Sequence, residues 1–113
     1  MNKTINKLLV GISLPVGLLL ALPASAADFK AGRAAFDANS CSSCHQTAAS
    51  TIGPSLKEIA GRYKGKAVAT DLAQRIREGS EGRWGGAAHP AYEGIEQAEA
   101  LLMAKWILAG APK

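Results

Sequence analysis

The sequence predicts a single all-α domain behind a short N-terminal leader. The chain has 113 residues, which is enough for one small domain and too few for a multidomain enzyme. Apolar residues recur at helical spacing in four segments, and these segments are bounded by capping residues, glycine or proline. No segment alternates apolar and polar residues with β-branched enrichment, so no sheet is predicted.

Residues 1–26 have the order of a secretory signal peptide. Lys3 and Lys7 give a positive start, and an apolar run follows from Leu8 to Leu22. Small residues then stand at Ala24 and Ala26, so cleavage is expected after Ala26 and the protein is expected in the periplasm. The alternative is a retained membrane anchor, but this run of 15 residues is shorter than the roughly 20 that span a bilayer.

Removal of the leader leaves one domain, residues 27–113, which is 87 residues long. The leader carries two of the 13 basic residues and none of the nine acidic ones, so the domain has a net charge of 11 − 9 = +2. This weak and interspersed charge argues against nucleic-acid binding. Two cysteines allow at most one disulfide. A domain of this size often needs a disulfide, metal or cofactor for stability.

The first predicted helix runs from Phe29 to about Asn39. Asp28 is expected to be its N-cap. Phe29, Gly32 and Phe36 fall on one side of this helix and give it an apolar face.

The second helix begins in a capping box formed by Ser55 and Glu58, directly after Pro54. The third is predicted from about Lys66 to Glu78, with Gly79 as its C-cap. Each has one apolar face at helical spacing. These faces consist of Leu56, Ile59, Ala60 and Tyr63 in the second helix and of Val68, Leu72 and Ile76 in the third.

The fourth helix is predicted from about Ile95 to Ala109, closed by Gly110 and Pro112. A long non-helical stretch from Gly79 to Gly94 precedes it, and loops of that length are usually functional or disordered. The apolar side of the fourth helix is expected to contain Ile95, Ala98, Leu102, Trp106 and Ala109.

The most specific motif is Cys41-Ser42-Ser43-Cys44-His45, which has the C-x-x-C-H spacing of c-type haem attachment. Cys41 and Cys44 fall on one side of a helical turn, so both thiols can reach the vinyl groups of one porphyrin. His45 is then predicted to be the proximal iron ligand. A thioredoxin-like redox pair would need a preceding strand, and a zinc site would need two further clustered ligands. One covalently attached haem c per chain is therefore predicted.

In this context the domain resembles the class I cytochromes c, and in particular the short soluble bacterial monohaem members that donate electrons to periplasmic nitrite reductases and oxidases. The resemblance covers essentially all of residues 27–113. Gly32 and Phe36, together with Trp106, resemble the family's crossing of the first and last helices. The resemblance implies about four short helices around one covalent haem, and an electron-transfer protein rather than an enzyme.

Two further haem contacts are implied by the resemblance. The turn Gly53-Pro54-Ser55-Leu56 matches a family turn in which the carbonyl at the Pro54 position accepts a hydrogen bond from the proximal histidine. The segment from Leu72 to Ser80 is similar to the family's third helix and is followed by Trp84, which is expected to pack near a haem propionate. Arg75 and Arg83 are candidates to pair with the propionates.

One position departs from the family pattern. The family's distal ligand is a methionine before a proline, whereas this loop has His89 before its proline. Met1 leaves with the leader, and Met103 lies inside the fourth helix, where a core role suits it. We therefore expect His45 and His89 to bind the iron together. The alternative is a five-coordinate or water-bound iron. Poorer candidates for the distal position are Tyr92 and Lys64.

A second imidazole would lower the reduction potential. Imidazole is a stronger donor than a thioether and favours ferric iron, so the midpoint is expected to lie below that of ordinary members by on the order of a tenth of a volt or more. The predicted function is a periplasmic one-electron carrier. The alternatives are a small-ligand-binding haem protein with an open or displaceable distal site, and a dedicated haem subunit of a larger oxidoreductase.

The expected partners are periplasmic redox proteins, and the chain is expected to be a monomer. Basic residues near a haem edge would steer an acidic partner. An ordinary solvated surface is slightly favoured, because two propionates add about two negative charges to the domain. The candidate steering residues are Lys30, Arg33, Lys57, Arg62, Lys64 and Lys66.

Overall fold

The computed structural model describes residues 11–18 and 24–113. The positive start of the predicted leader and part of its apolar run, residues 1–10 and 19–23, lie outside the described residues. Residues 11–18 are exposed and contain no helix or strand. None of the helices in the described ranges is long and apolar enough to cross a membrane.

Four α-helices and one short 3-10 helix make up the fold, and within residues 11–18 and 24–113 there is no strand. The all-α prediction is confirmed. Two isolated antiparallel bridges join His45 to Ser50 and Ser80 to His89. The α-helices are α1 (Ala26–Ala38), α2 (Leu56–Arg62), α3 (Ala69–Glu78) and α4 (Gln97–Leu108), and the 3-10 helix is Cys41–Ser43.

Helix α1 begins three residues before the predicted start, and Asp28 is not its N-cap. Ser25 is the N-cap, and its hydroxyl accepts a hydrogen bond from the Asp28 backbone N–H at 3.2 Å. The Asp28 carboxylate in turn accepts from the Ser25 N–H at 3.0 Å. This reciprocal capping box satisfies two backbone donors at once, which favours the earlier start. The predicted cleavage point after Ala26 therefore lies in the first turn of α1.

The second capping box is present as predicted. Ser55 accepts from the Glu58 backbone N–H at 3.1 Å, and Glu58 accepts from the Ser55 N–H at 2.8 Å. Helix α3 starts later than predicted because residues 63–65 form a turn, closed by the Lys66 N–H donating to the Tyr63 carbonyl at 3.0 Å, and residues 66–68 lie outside any helix. Gly79 is its C-cap with φ +81°.

The close crossing of α1 and α4 forms the frame of the fold. A Cβ on Gly32 would lie 2.3 Å from the Leu102 carbonyl oxygen and 2.9 Å from the Trp106 Cβ, so the two backbones touch at this point. Phe36 packs against Trp106 with ring centroids 5.2 Å apart. The indole N–H of Trp106 donates to the Pro112 carbonyl at 2.9 Å, which ties the C-terminal segment to α4.

The predicted buried side of α4 is only partly correct. Ile95 and Trp106 are buried, but Ala98 and Ala109 are exposed. The reason is that α4 packs against the other three helices rather than one, so its buried surface is broader than a single stripe. Met103 is 1 % exposed, in agreement with the predicted core position. The buried residues of α4 are Ala100, Met103, Ala104, Trp106 and Ile107.

We expect Gly32→Ala to destabilise the protein by about 1–3 kcal/mol, the range for overpacked cores, because the added methyl group meets the α4 backbone. Gly61→Ala is the matched control, since a Cβ at Gly61 in α2 would meet nothing within 4 Å. Alanine in a helix interior is favoured over glycine by up to about 1 kcal/mol. Chemical denaturation of both variants measures the difference, and equal stabilities would refute the close crossing.

Candidate functional site

A cavity of about 360 Å³ lies between the helices and the long loop of residues 79–96. Its volume falls within the ~300–1,000 Å³ of typical ligand pockets. Apolar side chains from three helices form much of its wall, namely Leu56, Ile59, Leu72, Ile76, Met103 and Ile107. The site residues predicted from the sequence also line this cavity: Cys41, Cys44, His45, Pro54, Trp84 and His89.

The cysteine pair lies in a single tight turn after α1. Ser40, with φ 57°, starts the turn, and the Cys44 and His45 N–H groups both donate to the Cys41 carbonyl at 3.2 and 3.0 Å. Both cysteines are half-buried. Burial raises the pKa of the Cys41 thiol. The turn brings both sulfur-bearing residues to one wall of the cavity, next to His45.

His45 is held by the turn that follows the cysteine motif. Its Nδ1 lies 2.8 Å from the Pro54 carbonyl oxygen, which only accepts, so Nδ1 carries the proton and Nε2 is the nitrogen with a free lone pair. A Cβ on Gly53 would lie 2.6 Å from His45 Cε1, so no larger residue fits against this ring without movement. The expected contact between the histidine and the Pro54 carbonyl is therefore present.

His89 is positioned on the opposite side by a backbone pair with Ser80. The Ser80 N–H donates to the His89 carbonyl at 3.1 Å, and the His89 N–H donates to the Ser80 carbonyl at 2.8 Å. Gly79 allows this approach, since a Cβ there would lie 2.7 Å from the His89 carbonyl oxygen. The Tyr92 N–H donates to the Arg77 carbonyl at 2.9 Å and holds the end of the same segment on α3.

The two imidazoles lie across the cavity from each other, with ring centroids 6.1 Å apart and planes inclined by 33°. Nδ1 of His89 is buried, and no protein group in residues 11–18 and 24–113 hydrogen-bonds to it. A buried ring nitrogen without a protein partner, on a ring that lines the cavity, fits a metal ligand.

Electrostatics favour a neutral imidazole at His89. Burial, followed by the neighbouring His45 ring, lowers the pKa of His89 below its ordinary value. The main chain of Pro90 raises the pKa of His89, but this effect is smaller than those of burial and of His45. No protein group forms a hydrogen bond to Nδ1 of His89 within the described residues. Metal ligation requires the neutral imidazole. The donor set of two thiols and two imidazoles around an apolar cavity thus fits a flat, iron-centred cofactor held through sulfur.

Trp84 belongs to a cluster that the sequence did not indicate. The Arg62 guanidinium lies 4.3 Å from the Trp84 ring centroid, and the Tyr63 ring meets Trp84 edge-on at 6.4 Å. Arg62 also donates to the Arg83 carbonyl at 2.7 Å. These contacts connect α2 to the long loop. Arg62 is also one of the candidate steering residues, and its guanidinium stacks on Trp84.

The two candidate propionate partners have other contacts in this structure. Arg75 forms a two-pronged ion pair with Asp71, with both N–O distances at 2.9 Å, and it also lines the cavity. This pair raises the pKa of Arg75 and lowers that of Asp71. Arg83 reaches the Tyr63 hydroxyl at 3.4 Å. Both guanidinium groups lie at the cavity but are already bonded within the protein.

Four short helices around an apolar cavity, with the C-x-x-C-H turn on one wall, define a class I cytochrome c. The family model for cytochrome c matches residues 29–110, and the chain belongs to this family. It binds one covalently attached haem c and is an electron carrier.

Individual relatives agree with this assignment. Cytochrome c-551 of Stutzerimonas stutzeri is 36 % identical over 105 residues, which cover 92 % of this chain and 97 % of the relative. Cytochrome c-552 of Nitrosomonas europaea is 42 % identical over 71 residues, covering 62 % and 69 % of the two chains. The crystal structure of wild-type N. europaea cytochrome c552 superposes with a TM-score of 0.64 at 37 % identity, covering 68 % of this chain and 96 % of that one.

We expect Gly79→Ala to displace the His89 segment. The variant places a Cβ against the His89 carbonyl and forces alanine into a backbone conformation, φ +81° and ψ 175°, that favours glycine. A loss of about 2–5 kcal/mol is expected, together with a changed haem absorption spectrum.

Gly82→Ala separates the two effects of the Gly79 substitution. Gly82 also has a positive φ, +67°, but a Cβ there would meet nothing within 4 Å. Its substitution should therefore lose only about 1–2 kcal/mol and leave the spectrum unchanged. Thermal denaturation and absorption spectra of the two holoproteins are compared, and an unaltered spectrum in Gly79→Ala would contradict the positioning role of this glycine.

Proposed function

We propose that the protein is an exported one-electron carrier in which His45 and His89 bind the two faces of the haem iron. Cys41 and Cys44 are the residues that would hold the porphyrin through thioether bonds, and the haem supplies the one-electron couple. His45 is the proximal ligand of this arrangement and His89 the distal one.

The separation of the two imidazoles carries this proposal. An imidazole nitrogen binds a first-row metal at about 2 Å, so two imidazoles on opposite sides of one metal have ring centroids about 6 Å apart. The observed separation is 6.1 Å. Met103 also lines the cavity, but its side chain is held in the buried core of α4, whereas His89 lies on the loop with its ring centroid 6.1 Å from that of His45.

The surroundings of the two imidazole rings support a role in electron transfer. Apolar side chains from three helices surround the cavity and limit access of water to the iron site. The His45 ring is held by its hydrogen bond to the Pro54 carbonyl, and the His89 main chain is held by its two hydrogen bonds to Ser80, so little backbone rearrangement is needed when the charge on the iron changes. We infer that the second imidazole favours ferric iron and lowers the reduction potential relative to methionine-ligated relatives.

Export and partners form the second part of the proposal. The leader pattern of residues 1–26 supports secretion to the periplasm and cleavage after Ala26. The partners would then be periplasmic redox proteins. This protein would serve a redox couple of lower potential than the couple served by a usual oxidase donor. The chain is proposed to be a monomer. A nucleic-acid partner is not proposed, because the domain carries a net charge of only +2.

We expect His89→Met to raise the midpoint potential by about 0.1 V or more, since a thioether favours ferrous iron and axial ligands span ~0.8 V across haem proteins. The far-red methionine–iron band should appear in the ferric spectrum. Met103→Leu is the control, because it removes the other methionine of the domain with little change of core volume. Its potential should equal that of the wild type. A wild-type potential in His89→Met would contradict two-histidine ligation.

Secretion with cleavage after Ala26 predicts a mature protein that consists of residues 27–113. After expression with a c-type maturation system, intact-mass measurement of the periplasmic fraction should give the mass of residues 27–113 plus one haem, without free thiols. Cys44→Ser keeps the leader and removes one attachment point, so its export should persist while covalent haem is weakened or lost. A product that retains residues 1–26 would overturn the cleavage assignment.

A further inference from the structure

The segment of residues 81–88 runs along the edge of the cavity with little support from its own backbone. All of its residues are exposed, and none of them belongs to a helix or a strand. A Cβ at Gly82 or Gly85 would meet nothing within 4 Å, so the main chain is not packed against the protein at these points. The hydrogen-bonded pair of Ser80 and His89 fixes the two ends of the segment but not its middle.

Two hydrogen bonds attach the middle of this segment, and both join it to the end of α2. Arg62 donates to the Arg83 carbonyl at 2.7 Å, and the Arg83 guanidinium donates to the Tyr63 hydroxyl at 3.4 Å. In the part of the chain that the structure describes, no other hydrogen bond between protein groups reaches this segment. The shorter of the two contacts comes from Arg62, and it holds the main chain itself.

Arg62 also holds the side chain that closes the cavity at this edge. The Trp84 indole lines the cavity and is 39 % exposed, so it separates the cavity from solvent. The Arg62 guanidinium lies 4.3 Å from the centroid of this ring, and the Tyr63 ring meets the indole edge-on at 6.4 Å. Tyr63 lines the cavity as well, whereas Arg62 is not part of the lining. Any effect of Arg62 on the cavity therefore acts through its neighbours.

We propose that Arg62 is a positioning residue for the haem cavity. By stacking on Trp84 and binding the Arg83 carbonyl, it keeps residues 81–88 at the cavity edge and limits access of water to the haem. Solvent access tunes the potential of a haem, because water stabilises the more highly charged ferric state. Closure by Arg62 therefore raises the reduction potential. This effect does not depend on which side chain binds the distal face of the iron, so its test is separate from that of two-histidine ligation.

Limited trypsin digestion of the holoprotein tests the positioning step. Cleavage after Arg83, identified by mass, requires the segment to open, and its rate follows the open population when opening is fast. Arg62→Ala should speed this cleavage about two- to fivefold, the factor for loss of an exposed cation–π contact. Cleavage after Arg77 within α3 is the internal reference for general unfolding. An unchanged rate at Arg83, or an equal increase at both sites, would overturn the proposal.

Arg33→Ala is the matched control for both measurements. It removes the same charge from another helix, where Arg33 pairs with Asp37 at 3.9 Å and does not line the cavity. Redox titration of the holoproteins should give a midpoint below the wild-type value in Arg62→Ala and a wild-type midpoint in Arg33→Ala. An unchanged midpoint in Arg62→Ala would refute the effect of closure on the haem.

Loss of a positive charge near the haem also lowers the midpoint, and a double-mutant cycle with Trp84→Ala separates the two causes. Charge alone gives the same shift on removal of Arg62 with or without the indole, and equal shifts would overturn the proposal. Closure through Trp84 predicts a smaller shift in the Trp84→Ala background. If Trp84→Ala does not retain haem, Arg62→Lys replaces the cycle, because it keeps the charge without the planar guanidinium. A lowered midpoint in Arg62→Lys supports closure, and a wild-type midpoint assigns the shift to charge and overturns it.

Discussion

The separation of 6.1 Å between two imidazoles across one cavity is set by two separate backbone segments. The Pro54 carbonyl orients His45, and the paired hydrogen bonds with Ser80 fix the main chain of His89. The helices supply the frame for these two segments, because α2 follows the Pro54 turn and α3 ends at Gly79. A shift of either helix would change the distance between the rings.

The frame itself rests on few buried side chains. The packed core lies mainly where α4 meets the other helices, with Gly32 allowing α1 to touch the α4 backbone. Leu72 and Ile76 of α3 face the cavity and are only half-buried by protein. In a domain of this size, a covalently held apolar cofactor completes the core as well as performing the redox chemistry. The same cavity therefore links folding to function.

Local patterns predicted much of this arrangement. The C-x-x-C-H motif and the Ser55–Glu58 capping box specify structure within a few residues, and both turns were correctly predicted. The start of α1 in the full chain differs from the prediction because Ser25, which the proposed cleavage would remove, forms a capping box with Asp28. The stacking of Arg62 on Trp84 was missed because the partners lie 22 positions apart and no local pattern connects them. Gly79 was recognised as a helix C-cap, but its contact with His89 depends on the path of a loop that carries no periodicity.

Low-temperature electron paramagnetic resonance of the oxidised holoprotein tests two-histidine ligation most directly. Two imidazole ligands inclined to each other, as the 33° angle between the rings implies, should give a low-spin ferric signal with the corresponding anisotropy. The signal should change to that of an imidazole–thioether pair in His89→Met. A high-spin signal in the wild type, or identical signals in the two proteins, would contradict two-histidine ligation.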